Sequence, residues 1–295
     1  MRESKRYLGL ELSGAKNPKT AVAVLEFYPK EQKIFLLDIH DRIPEKNASE
    51  KFSSKSNGDR SGQAAADEQL ISLIDELTED SANGRKKVRM GVNVPLEMPP
   101  CLSRLSQTRC NSAIKWMREM TKKAQRSHQV KVLEFTPYTQ RPVELWVRYQ
   151  VLPKLHPYER FEIDETLGGN KAPLTARMIY LKPYLRKIEL IEAWPKLTIA
   201  ALAEPLGISK RTISAYRRLE EGVQAREDIL EALVEQRDVF VYDKDIRKLA
   251  MNLSAFDAFL CAYTALLSDL EQTAAAPPGF PTATGWVHYP NLSHR

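Results

Sequence analysis

The first forty positions read as strands separated by short polar turns. From Tyr7 to Leu12, Leu8, Leu10 and Leu12 share one face and Tyr7, Gly9 and Glu11 the other, the period-two pattern of a strand. Ser13-Gly14-Ala15-Lys16-Asn17-Pro18 is turn chemistry. Thr20 to Phe27, rich in valine and alanine, reads as a second strand, and Lys33 to Ile39, after a turn at Pro29-Lys30-Glu31-Gln32, as a third; such short connections predict an antiparallel meander. Residues 43–63 have almost no apolar content around Ser53-Ser54-Lys55-Ser56-Asn57-Gly58 and are expected to form a mobile loop. Leu70, Leu73, Ile74 and Leu77 then fall at helical spacing, and Val88, Met90, Val92 and Val94 alternate as a fourth strand. A strand reached through a helix predicts a crossover and parallel pairing with an earlier strand.

Further along, a basic helix is predicted over Asn111 to Arg126, and an irregular insert rich in proline and aromatics over residues 128–175. Ile188 to Trp194 reads as a fifth strand closed by Pro195, followed by a helical insert over 196–236. Ser254 to Glu271 carries the clearest helical stripe, Phe256, Phe259, Leu260, Tyr263, Leu267 and Leu270, beside a strip of alanines at 255, 258, 262 and 265 that permits close packing on a sheet. The expectation is an α/β chain with a mixed five-stranded sheet, three antiparallel strands and then parallel ones, flanked by helices. One domain would span 1–272, with 273–295 an extension packing back on the core.

Composition narrows the classes. Lys and Arg number 44 against 38 Asp and Glu, a net charge of +6, with 43% hydrophobic and 28% charged residues. These values suit a globular protein and exclude a disordered tail, a collagen or a disulfide knot. No apolar run reaches the ~18 residues of a membrane helix. Three cysteines without metal-ligand spacing lead us to expect a reducing, cytoplasmic setting and no membrane.

Three acids sit where acids are unusual. Glu11 interrupts a strand expected to be central and covered on both faces, so it must be paired, protonated or metal-bound, unless it ends the strand against Lys16. Glu192 lies on the apolar face near the carboxyl end of its strand, where α/β sheets gather ligands, or else bonds local backbone. Asp257 flanks the alanine strip, although Ser254-x-x-Asp257 also approximates a capping box. Together they suggest oxygen ligands for two divalent ions beside a phosphate.

Several short segments resemble a largely uncharacterised family of predicted nucleases with a ribonuclease-H-like fold. They are Leu8 to Lys16, Gly91-Val92-Asn93-Val94-Pro95-Leu96-Glu97-Met98-Pro99, Ile191-Glu192-Ala193-Trp194-Pro195 and Ala255 to Ala262, with Thr175-Ala176-Arg177 and Gly285-Trp286. The resemblance implies a nuclease hydrolysing phosphodiester bonds with Mg2+ or Mn2+ by a two-metal mechanism. Glu11, Glu192 and Asp257 are its implied catalytic and metal-binding acids, and Asn93 a fourth ligand. Where the family has aspartate on the first strand and aspartate-x-proline-leucine after the fourth, this chain has Glu11 and Asn93. Lys16, Lys115, Arg118, Lys122 and Arg177 are the expected nucleic-acid contacts. A second expectation is an inactive nucleic-acid-binding or regulatory protein on the same scaffold, using the helix-turn-helix-like segment 202–216.

Overall fold

The computed structural model describes residues 4–14, 19–41, 43, 65–79, 88–103, 105–127, 134–155, 162–237 and 239–292. Lys16 and, apart from Ile43, the segment expected to be a mobile loop lie outside them. The frame is a mixed sheet of β1 (Lys5–Glu11), β2 (Ala21–Tyr28), β3 (Lys33–His40), β4 (Arg89–Val92), β5 (Glu189–Ala193), β6 (Val239–Phe240) and β7 (Val287–His288). The strand order is β6-β3-β2-β1-β4-β5-β7. β2 runs antiparallel to β1 and β3, and every other neighbouring pair is parallel. The chain is therefore α/β with a mixed sheet.

The sheet has seven strands rather than the five expected. The additional two are two-residue edge strands, Val239–Phe240 beside Ile34 and Phe35 and Val287–His288 beside Glu192 and Ala193. Two residues are too few to display a period of two, which is why the pattern does not announce them.

The described residues hold nine α-helices: α1 (Ala65–Glu79), α2 (Gln107–Ser127), α3 (Pro142–Trp146), α4 (Lys171–Leu181), α5 (Pro195–Leu202), α6 (Lys210–Ala215), α7 (Gly222–Arg237), α8 (Asp243–Met251) and α9 (Leu253–Asp269). α1 is the crossover that brings β4 alongside β1 in parallel. Leu8, Leu10 and Leu12 point to a layer shared with Leu70 and Ile74 of α1 and Met178 and Leu181 of α4. On the opposite face Tyr7, Ala23 and Leu25 meet α9, with Ile199, Ile213 and Ile229 of α5, α6 and α7 behind it. The segment 202–216 belongs to this second layer. Its second helix is six residues long, and Ile213, Ala215 and Tyr216 are buried in the core. The extension beyond 273 packs Phe280, Val287 and Tyr289 against Val143, Val147 and Leu197.

α9 lies unusually close to the middle of the sheet. A Cβ placed on Gly9 of β1 would sit 1.9 Å from the Ala258 carbonyl oxygen and 2.3 Å from the Ala262 nitrogen. One placed on Gly91 of β4 would sit 2.1 Å from the Cys261 carbonyl oxygen. These obstacles are backbone atoms, so no side chain can turn aside. The helix begins with Asn252, whose side-chain oxygen accepts from the Ser254 and Ala255 amides. The capping role considered for Ser254 and Asp257 is thus filled by Asn252, and Asp257 faces inward.

Gly9→Ala and Gly91→Ala are each expected to lower unfolding free energy by ~3 kcal/mol or more, at or beyond the usual range for overpacking. Gly14→Ala, whose Cβ would meet no described atom within 4 Å, is expected to be near neutral. Urea denaturation of the three variants measures the contrast.

Candidate functional site

The carboxyl ends of β1, β4 and β5 deliver Glu11, Asn93 and Trp194 to one edge of the sheet. A cleft of about 240 Å³ opens there, lined by Glu11, Asn93, Pro95, Trp194, Lys171 and Arg217 among others. Strand ends leave backbone and side chains unmatched by further pairing, which is why α/β sheets bind ligands at this edge.

Glu11 shares its face of β1 with Gly9, so it points toward α9. Asp257 stands in the second turn of that helix and is fully buried. The Asn93 side-chain amide donates to Glu11 Oε2 at 2.6 Å. Burial, and then the Asp257 charge, push the Glu11 carboxyl up to about 7, against the pull of Lys171, the Asn93 hydrogen bond and Arg217. Burial also raises Asp257, and the Arg217 guanidinium opposes it. Arg217 Nη1 donates to Asp257 Oδ2 at 2.6 Å and to the Tyr216 hydroxyl at 3.4 Å. Asp257 Oδ1 is buried with no hydrogen-bond partner among the described residues. A carboxylate oxygen left unmatched beside a second acid is a costly arrangement unless a cation or proton completes it.

Two lysines complete the wall, and both open helices. Lys171, the first residue of α4, donates to the Asn93 carbonyl oxygen at 3.1 Å. Lys196, the second residue of α5, has no hydrogen-bonded or ion-paired partner among the described residues. Burial lowers its pKa, and the nearby Arg217 and Lys171 charges lower it further. Glu162 and Asp164 border the same cleft, so the site mixes both signs. The N-terminal ends of two helices add partial positive charge where these lysines sit.

Glu192 is placed differently from expectation. Arg141, itself fully buried, grips it with both terminal nitrogens, Nη1 to Oε2 at 2.8 Å and Nη2 to Oε1 at 2.7 Å. The Leu96 amide and the Trp194 indole nitrogen donate to the same carboxylate. Arg141 Nε turns to Glu144 at 3.1 Å and to Thr166 at 2.5 Å. With its oxygens so engaged, Glu192 anchors the insert to the end of β5. Among the described residues no three His, Cys, Asp or Glu side chains converge to hold one metal ion. The expected three-acid cluster of Glu11, Glu192 and Asp257 is therefore replaced by one acid pair, Glu11 and Asp257, and one sealed ion pair.

Arg177, expected to touch nucleic acid, is buried. Its guanidinium bonds Asp67 at 2.7 Å and 2.6 Å and reaches the Ser13 carbonyl and Thr20 hydroxyl, so it pins the end of β1 from below. Lys115, Arg118 and Lys122 lie on the solvent face of α2. Glu97, near Asn93, pairs with Lys182 at 2.6 Å. Sequence reasoning missed Arg141, Lys171 and Lys196. The one signal in the chain was Arg141 followed three residues later by Glu144 in an apolar stretch.

A carboxyl with its pKa raised on folding binds more protons folded than unfolded. Glu11 therefore favours folding at low pH, and that contribution is lost as pH rises from the ordinary glutamate value through about 7. Glu11→Gln is expected to stabilise the protein above neutral pH, by up to roughly 3 kcal/mol, and to flatten the decline between pH ~5 and ~7; urea denaturation from pH ~5 to ~9 measures both. Arg141→Met strands Glu192 and Glu144 without a counter-charge and is expected to cost ~3–5 kcal/mol in the same assay. Comparison with protein-family models, with curated proteins and with solved structures returned no match to the chain.

Proposed function

We propose that the cleft is the active site of a phosphodiester hydrolase acting on nucleic acid, on a ribonuclease-H-like scaffold. The five inner strands support the scaffold assignment, since β3-β2-β1-β4-β5 with only β2 reversed is the order that fold would have. The observation that carries the function is the acid pair: half-buried Glu11, raised in part by the Asp257 charge, beside a buried Asp257 oxygen with no partner among the described residues.

These residues fit a single divalent cation, magnesium or manganese, held by Glu11, Asp257 and the neutral amide oxygen of Asn93, with water filling the remaining positions. Such an ion would supply charge neutralisation at a phosphate and acidify a bound water. The chain's own groups do the rest. Glu11, whose pKa is raised to about 7 by burial and the Asp257 charge, would bind such an ion as a carboxylate, because the cation's charge favours the ionised form. Lys196, with no hydrogen-bonded or ion-paired partner among the described residues, and Lys171 hold phosphate oxygens and orient the scissile group. Arg217 faces both Asp257 and the cleft, so its unused donors extend the grip. With Glu192 sealed by Arg141, the acids that remain serve one ion rather than the two first expected.

A second reading, binding without turnover, is favoured by one observation: Asp257 and Glu192 each already carry an arginine partner. Calorimetric titration with Mn2+ and cleavage assays on RNA, DNA and hybrid separate the readings. Hydrolysis predicts that Asp257→Asn weakens Mn2+ at least ~10-fold and abolishes cleavage, and that Asn93→Asp strengthens Mn2+ by a similar factor, as expected for a changed ligand charge. Cleavage that survives in Asp257→Asn contradicts the proposal. Nucleic-acid binding with neither Mn2+ uptake nor cleavage establishes the second reading instead.

A further inference from the structure

The net charge of the chain is +6, and nearly all of it sits on one element. α2 carries Arg109, Lys115, Arg118, Lys122, Lys123 and Arg126 against the single acid Glu119, a surplus of five in 21 residues. The remaining chain is close to neutral. All six basic residues are exposed. Lys115 and Glu119, 4.0 Å apart, form an ion pair on this face.

That pattern is unfavourable for a helix that serves structure alone. Arg118 follows Lys115 by three positions, Lys122 follows Arg118 by four and Arg126 follows Lys122 by four, so like charges stand one turn apart along one side. The first turn has no acid to match the helix dipole and holds Arg109 instead. The repulsion is relieved when a polyanion lies along the face. Lys115 to Arg126 spans ~16 Å of helix axis, enough to follow several successive phosphates.

The other side of the helix decides between polyanions. An anionic membrane is met by helices that bury an apolar face among the lipids. Here Ala113, Met117, Met120 and Ala124 are buried within the protein, the last three packed against Leu145 and Tyr149. Only the charged side is left to solvent, and it carries no exposed aromatic wedge.

We infer that the solvent face of α2 is a docking surface for the phosphate backbone of nucleic acid, sequence-independent and separate from the Glu11–Asp257 pair at the sheet edge. The inference takes from the proposed function only the identity of the polyanion. Contacts of this kind release counterions, so affinity falls linearly with salt on logarithmic axes. The test is fluorescence anisotropy of labelled duplex and single-stranded RNA and DNA over a salt series, with the full chain and with Lys115→Gln, Arg118→Gln, Lys122→Gln and Lys123→Gln combined. These positions are exposed, and glutamine keeps helix propensity; circular dichroism melting verifies the fold.

The combined variant is expected to bind ~10- to 100-fold more weakly at moderate salt, with a salt slope on duplex shallower by up to about 3.6, roughly 0.9 for each of four phosphates that are no longer neutralised. Its Mn2+ affinity and its turnover of a small phosphodiester such as bis(p-nitrophenyl) phosphate are expected to match those of the parent. Asp257→Asn is expected to leave the salt slope unchanged, so failure of the cleft chemistry and failure of this surface are read separately. Equal affinity and slope for parent and combined variant overturn the inference. So does parent binding to phosphatidylserine vesicles without binding to any nucleic acid.

Discussion

The contact between α9 and the two central strands governs the rest of the structure. Gly9 and Gly91 present bare backbone to Ala258, Cys261 and Ala262, and no residue with a Cβ fits. Because the helix comes this near, a side chain one turn along it reaches the carboxyl end of β1. Asp257 then lies beside Glu11 although 246 positions separate them in sequence. The close packing that excludes water here also raises the pKa of both acids, so a steric requirement in the fold becomes an electrostatic property of the cleft.

Two arginines hold two acids, and their settings differ. The Arg141–Glu192 pair is almost wholly buried and satisfied on every side by Glu144, Thr166, Leu96 and Trp194. A buried charge network of this kind fixes geometry more than it adds stability. The Arg217–Asp257 pair has one partner at the cleft wall, with about a third of the Arg217 side chain exposed, and leaves one carboxylate oxygen unmatched. The first pair is suited to joining the insert and β5, and the second to exchanging partners when a ligand enters.

Much of this fold was legible in sequence because its main strands are long enough to carry a pattern. β1, β2 and β3 carry seven or eight residues each, long enough for the alternation of β1 and the continuous valine- and alanine-rich run of β2 to be read, whereas β6 and β7 are fixed by pairing partners and carry no pattern of their own. The alanine strip of α9 announced close packing, and Glu11 stood out as an acid in an apolar run. The partner of Glu192 could not be seen, since Arg141 lies 51 positions away in a stretch of prolines and aromatics. Lys171 and Lys196 were equally silent, because a lysine near a helix start is ordinary until the fold brings two helix starts to one cleft. Arg177 misled for the opposite reason: a basic residue in a matching segment reads as a ligand contact until Asp67, 110 positions earlier, claims it.

The Glu11–Asp257 pair, with its unmatched carboxylate oxygen, is proposed to hold a cation. Anomalous diffraction from crystals soaked in manganese tests it most directly. One peak is expected between the two carboxylates, within bonding distance of Asp257 Oδ1 and absent from Asp257→Asn crystals. A peak on Glu192, or no peak in the cleft at saturating manganese, contradicts it.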